Sequence, residues 1–320
     1  MKKSIIRFGS RIAATLLLAG LLPALAAEQH ADFSLDVQVD PATHLLDVTA
    51  QIDLPDAYAG KTLEFLLTDA VEIVSSEPAV RSLPYDGSKG FTGINGSSVE
   101  MNDNGHAARY QVQLPAGATS ISLTYRGAVN FPLGDLKEQY TRGFRSTAGI
   151  VGEEGIFLAG SSLWYPYFSN ELISFRLTTN VPEGWHLISQ GNGSSRDESG
   201  QSQWDSAGAV DEIYLVGGPL VKYTEAAGAI SAEVFLHDSD DALAQKYLTA
   251  TAQYLEMYRN LIGPYPYTKF ALVENFWETG YGMPSFTLLG PQVIRFPFIL
   301  TSSYPHEILH NWWGNSVFVD

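Results

Sequence analysis

The spacing of apolar residues changes character once along this chain of 320 residues, and that change limits what it can fold into. From Ala31 to about Tyr223 apolar and polar residues alternate in short runs. Phe33-Ser-Leu-Asp-Val-Gln-Val39 and Leu46-Asp-Val-Thr-Ala-Gln-Ile-Asp-Leu54 are two of them, with Asp40-Pro-Ala-Thr-His44 as turn chemistry between. A period of two puts every second side chain on one face, the requirement of a half-buried strand. Similar runs recur at 62–67, 109–114, 120–125, 173–178 and 212–216, separated by clusters such as Tyr85-Asp-Gly-Ser-Lys-Gly90 and Gln190-Gly-Asn-Gly-Ser-Ser195. Many short strands with frequent turns predict an antiparallel sandwich or saddle-like sheet.

After Val221 the period lengthens. One more alternating run, 230–236, precedes a helix signature in which Leu243, Tyr247, Ala250, Tyr254, Tyr258 and Leu261 recur every three or four residues. Ser239 or Asp240 can cap its start, and Gly263-Pro264 ends it. A short strand at Phe270-Ala-Leu-Val-Glu274, a glycine-rich loop at Gly280-Tyr-Gly-Met283 and a second helix from about Ser303 follow. The expected organisation is therefore α+β and multidomain. A β-rich domain spans 27–222 and a second domain 226–320, with Glu225-Ala-Ala-Gly-Ala229 read as a linker.

Residues 1–26 have the anatomy of a secretory signal peptide: Lys2, Lys3, Arg7 and Arg11, then an apolar run, then Ala24-Leu25-Ala26. The apolar run is shorter than the roughly 20 residues a membrane span needs, so cleavage is expected, with no stable membrane insertion afterwards. Without that segment the chain carries 15 basic against 35 acidic side chains, a net charge of -20. Such a surface repels phosphate backbones, which excludes nucleic acid as an expected partner. There are no cysteines, so neither disulfides nor thiolate metal ligands are available. A lysine-rich leader and a cysteine-free chain fit a bacterial periplasmic or secreted protein.

The chemistry concentrates in His306-Glu307-Ile308-Leu309-His310. Residues four apart share one face of a helix, so His306 and His310 can present two imidazoles to one zinc ion. Glu307 projects beside the metal, where it can take a proton from an attacking water. Ser303 is the expected N-cap, Pro305 is tolerated in a first turn, and Ile308 and Leu309 should face the core. Two histidines and a glutamate can also meet on a helix by chance, and the surrounding residues weigh against that reading.

The run His306-Glu-Ile-Leu-His-Asn-Trp-Trp-Gly-Asn-Ser-Val317 resembles the zinc helix of the membrane alanyl aminopeptidase family. That family is of the gluzincin, thermolysin-like type and includes leukotriene hydrolase. Tyr258-Arg-Asn-Leu-Ile-Gly-Pro-Tyr-Pro-Tyr-Thr-Lys-Phe270 is similar to the family's segment entering the catalytic sheet, and Trp164-Tyr-Pro-Tyr167 is a weaker match. The resemblance implies an N-terminal β domain followed by the start of a thermolysin-like α/β domain, Zn(2+) as cofactor and a peptide or protein substrate. It implies His306 and His310 as metal ligands and Glu307 as general base. The family's third ligand is a glutamate roughly 19 residues after the second His, which would lie past Asp320. The expectation is therefore an inactive fragment of a longer peptidase.

The family's exopeptidase loop reads Gly-x-Met-Glu-Asn, its Glu holding the substrate's free amine. Here Gly282 and Met283 fit that pattern, and Pro284 stands where the Glu should be. The resemblance makes Gly280, Tyr281, Gly282 and Met283 substrate-binding candidates, with Glu278 as a substitute carboxylate. Glu153 and Glu154 are weaker candidates for the amine, and Arg142 and Arg145 for a carboxylate; for all four an exposed surface position is the default. The rival reading is a non-catalytic β-sandwich binding module carrying a degenerate peptidase domain.

Overall fold

The computed structural model describes residues 30–85, 91–92, 98–99, 106–135, 145–168, 172–180, 182–195 and 200–315. The expected signal peptide, Arg142 and the run after Asn315 lie outside them.

The alternation of the first strand is realised residue by residue. In Ala31–Asp40 the odd positions Ala31, Phe33, Leu35, Val37 and Val39 are all buried. This strand lies inside a seven-stranded sheet, next to Leu45–Asp53 on one side and Ile173–Asn180 on the other. The pairing with Ile173–Asn180 is parallel, so the expectation of a wholly antiparallel sheet holds for every neighbour pair but this one. Two strands 133 or more residues apart carry no turn signal that would set their direction, and only their packing decides it.

A four-stranded sheet (Ile150–Gly152, Gly155–Leu158, Leu215–Gly218, His186–Ile188) and a three-stranded sheet (Thr62–Leu67, Ala108–Gln113, Val80–Leu83) accompany it. All three sheets contribute to one core, from Phe33, Val48 and Tyr125 through Phe65 and Val112 to Val151, Ile156 and Leu215. Two of its polar groups are paired with carbonyls: Tyr125 donates to the Trp164 carbonyl at 3.0 Å, and Trp164 Nε1 to the Ile213 carbonyl at 3.0 Å. Buried donors left unpaired would cost about 1–3 kcal/mol each.

The second region is a five-stranded sheet in the order Val221–Ala227, Ile230–Leu236, Lys269–Glu274, Phe286–Leu289, Gly280–Met283. The middle pairings are parallel, and the two outer ones are antiparallel. Glu225–Ala227, expected as part of a linker, finish its first strand, and Gly228, whose φ of +70 suits a tight turn, leads into the second. An alanine-rich hairpin lacks the bulky alternation that marks a strand, so its composition read as a linker.

Both faces of this sheet are covered. Phe235, Ala271, Val273, Phe286 and Leu288 meet Phe157, Ile188 and Val216 of the four-stranded sheet. Val234, Leu236, Phe270, Leu272 and Leu289 meet Ala244, Tyr247, Leu248, Tyr304 and Ile308 of two helices. Parallel strands buried on both faces read as continuous apolar runs, as Phe270–Val273 does. The long helix Asp241–Leu261 is capped by Asp240, whose Oδ1 accepts from Leu243 N at 2.9 Å. Among the described residues no helix is long and apolar enough to cross a membrane.

Candidate metal centre

The short helix Ser303–Leu309 follows a 3-10 turn at Ile299–Thr301. Ser302, one residue before the expected Ser303, occupies the cap position, and its Oγ donates back to the Phe298 carbonyl at 2.8 Å. Ile308 is fully buried and Leu309 half-buried, so the apolar side of the helix faces the core largely as expected. The helix is pinned from beneath. Tyr258 donates to the Pro305 carbonyl at 3.1 Å, and Tyr304 OH meets Thr251 Oγ1 at 2.5 Å. Trp312 Nε1 reaches the carbonyls of Gly263 and Pro264 at 3.2 and 3.0 Å. Trp312 is therefore a packing residue, whereas Trp313 beside it is exposed.

His306 and His310 converge. Their Nε2 atoms are 2.9 Å apart and their rings meet at 83° with centroids 4.5 Å apart. Two ligand nitrogens of a tetrahedral zinc would be separated by about 3.3 Å, close to the spacing found. His310 Nδ1 lies 3.2 Å from the Trp313 carbonyl. A carbonyl only accepts, so Nδ1 carries the hydrogen and leaves Nε2 with a free lone pair, the tautomer a metal requires. The two imidazoles thus fit zinc as part of its donor set. Among the described residues no third His, Cys, Asp or Glu joins them.

Glu307 is half-buried, and burial pushes its carboxyl above the ordinary carboxylate range, opposed by the neighbouring imidazoles. Its Oε2 rests against the bare Cα of Gly282. A Cβ there would overlap that oxygen well inside van der Waals contact and lie 3.4 Å from His310 Cδ2. The segment read as a glycine-rich loop is the antiparallel edge strand of the five-stranded sheet. Glycines hide strand periodicity, because they offer no side chain to alternate. The structure brings Gly282 to His310 and Glu307. Met283 is buried in the core between the sheets, and Tyr281 packs beside the same core. Gly280 is exposed at the start of the strand.

Glu278 points to a different place. Its Oε1 accepts from Gln292 N at 2.9 Å, and its other oxygen lies against Gly290. Glu153 and Glu154 are exposed at the turn of a hairpin whose Gly155 abuts the Phe276 ring. Arg145 is exposed, and its carbonyl accepts from Trp277 Nε1 at 3.2 Å.

Pro284 and Ser285 make the two-residue turn between the edge strand and its partner, since Met283 pairs with Phe286. Proline is preset for the first turn position, and Ser285 takes the left-handed second position at φ +66. Both are buried. Sequence reasoning missed the residues that hold this turn, Asn311 and Lys269. Asn311 Oδ1 accepts from Ser285 N at 2.6 Å, and its Nδ2 donates to the carbonyls of Glu307 and Ile308 at 3.2 and 3.0 Å. Lys269 Nζ donates to Ser285 Oγ at 2.8 Å and to the Ser189 carbonyl at 2.9 Å. The available signals were a lysine inside an apolar strand and an asparagine directly after the second histidine.

No family model matches the sequence, and no curated protein matches it. Solved structures do match. An M1 zinc metallopeptidase from Deinococcus radiodurans aligns with 90% of this chain at 17% identity and a TM-score of 0.56. A mutant of that enzyme bound to a Tyr-Ser-Ala substrate aligns at 16% identity and 0.54. Native yeast LTA4 hydrolase aligns with 89% of the chain at 13% identity and 0.58. The chain spans 64% of the length of the bacterial structure and 44% of the yeast one. At such identities the likeness is one of fold, and that fold is the one found in M1 zinc metallopeptidases.

Proposed function

We propose that the protein to which this chain belongs is an exported zinc metallopeptidase, aminopeptidase-like in its fold and in the chemistry of its site. The observation that carries this reading is the convergence of His306 and His310 with Glu307 beside them, its carboxyl lying against Gly282. On this reading the five-stranded sheet and its helices begin a thermolysin-like catalytic domain, and the leader directs the protein to the periplasm or medium. The substrate is a peptide or protein, and the acidic surface disfavours nucleic acid.

His306 and His310 would hold the zinc, with a further protein ligand required for a catalytic site. Zinc, when bound, supplies a Lewis acid that polarises the scissile carbonyl and acidifies water. Glu307 takes the proton of the attacking water and delivers it to the leaving amine. Burial raises its proton affinity and so suits it to that exchange. The absence of a side chain at Gly282 lets the edge strand and the Glu307 carboxylate approach each other closely. Pro284 cannot pair with an ammonium group, so Glu278 or another acid would have to bind a free N-terminus.

The test is Glu307→Gln in the complete gene product. Peptide hydrolysis should be lost while bound zinc is retained. Turnover equal to that of the unaltered protein would refute the assignment. Comparing peptides with free and acetylated N-termini on the same preparation separates exopeptidase from endopeptidase action.

A further inference from the structure

The residues around the turn Pro284–Ser285 form a network that the zinc chemistry does not itself require. Asn311 is fully buried, as are Ser285 and Ser189, and Lys269 is 2% exposed. Asn311 uses one end of its amide on the turn and the other on the helix that carries Glu307. Tyr265 OH bridges the Lys269 carbonyl at 3.0 Å and Asn311 Oδ1 at 3.3 Å. The Ser285 carbonyl accepts from Ala271 N at 3.1 Å, so both backbone groups of Ser285 are held. Lys269 then links Ser285 Oγ to the Ser189 carbonyl, which lies beside the four-stranded sheet of the β-rich region.

Three elements far apart in sequence are thereby fixed to one another at a dry point. The consequence for the site is geometric. Gly282 lies three residues before Ser285, on the short strand that leads into the turn, and its Cα abuts the Glu307 carboxylate. With the turn tied to Asn311, the edge strand cannot slide along the site helix without breaking buried hydrogen bonds. Each of these costs more to leave unmade than a solvated one.

We propose that Asn311, Ser285 and Lys269 are positioning residues: they lock the edge strand Gly280–Met283 against the helix bearing Glu307 and tie both to the β-rich region. Their role in turnover rests on the peptidase reading above, whereas the lock itself does not. Asn311 touches no reacting atom. It acts through the separation of Gly282 and Glu307, where a displacement near 1 Å can cost about 100-fold in rate.

The experiment uses the complete protein with Asn311→Leu, which keeps the volume and removes both ends of the amide. Ser285→Gly serves as the second variant, since glycine accepts the left-handed turn and should fold. Amide exchange across Tyr281–Phe286 should quicken at least about tenfold in Asn311→Leu and in the same direction in Ser285→Gly, with Leu45–Asp53 unchanged. Per zinc-loaded molecule, kcat should fall about tenfold or more with KM within about twofold. Unchanged exchange in the folded variants would overturn the lock. Faster exchange with unaltered kcat would overturn the positioning role. If no form of the protein hydrolyses peptide but exchange quickens as expected, the peptidase reading fails and the lock stands.

Discussion

Gly282 is the residue on which the site depends most visibly. A methyl group at this position overlaps Glu307 Oε2 and crowds His310 Cδ2, so one of the three must move. On the peptidase reading proposed above, Gly282→Ala should lower kcat by about 100-fold, the scale expected for a displacement near 1 Å at a reacting centre, and leave zinc content close to that of the parent. Hydrolysis of a fluorogenic peptide alongside metal analysis measures both. The histidines and Glu307 were legible in the sequence because their spacing is local, a single helical repeat of four. Asn311 and Lys269 were not. Their partners lie 26 and 16 residues away for Ser285, and 80 for Ser189, and no periodicity records a contact that only the assembled sheet creates.

At the scale of the element, the signals that worked were those with a side-chain period. Thr62–Leu67 and Ile230–Leu236 begin and end where their alternation does. The helix Asp241–Leu261 starts after the Asp240 cap and stops before Gly263, which sits at φ +148. Asp240→Ala removes the side-chain acceptor for Leu243 N and should cost about 1 kcal/mol of stability, read from the shift in a urea unfolding midpoint. Asp240→Asn, which keeps an acceptor, should recover most of it. The signals that failed lacked a period. Gly280–Met283 read as a loop, Glu225–Ala227 as a linker, and the strand expected over 212–216 runs at Leu215–Gly218. In each case small residues or a single misplaced polar residue erased the alternation that the backbone nevertheless adopts.

Across the whole molecule, the β-rich region and the five-stranded sheet share an apolar interface, and Lys269 is buried at its edge. Burial pushes Lys269 down to about 8, with Glu233 opposing that shift and Lys222 adding to it. The lysine of an unfolded chain titrates near 10.4. Below both values the side chain is protonated in both states, and the folded state bears the cost of a buried cation. Between about pH 8 and 10.4 the unfolded chain binds more protons than the folded one, so stability rises with pH across that window. Half-buried tyrosines such as Tyr167, pushed up to about 12, act in the opposite sense, but only once pH passes the ordinary phenol value. The window from pH 7.5 to 9.5 therefore isolates the lysine. Over it the unfolding free energy should rise by about 2 kcal/mol relative to Lys269→Met, followed by denaturant titrations at constant ionic strength. Parallel pH profiles for the two proteins would mean that Lys269 is not held charged and dry between the two regions.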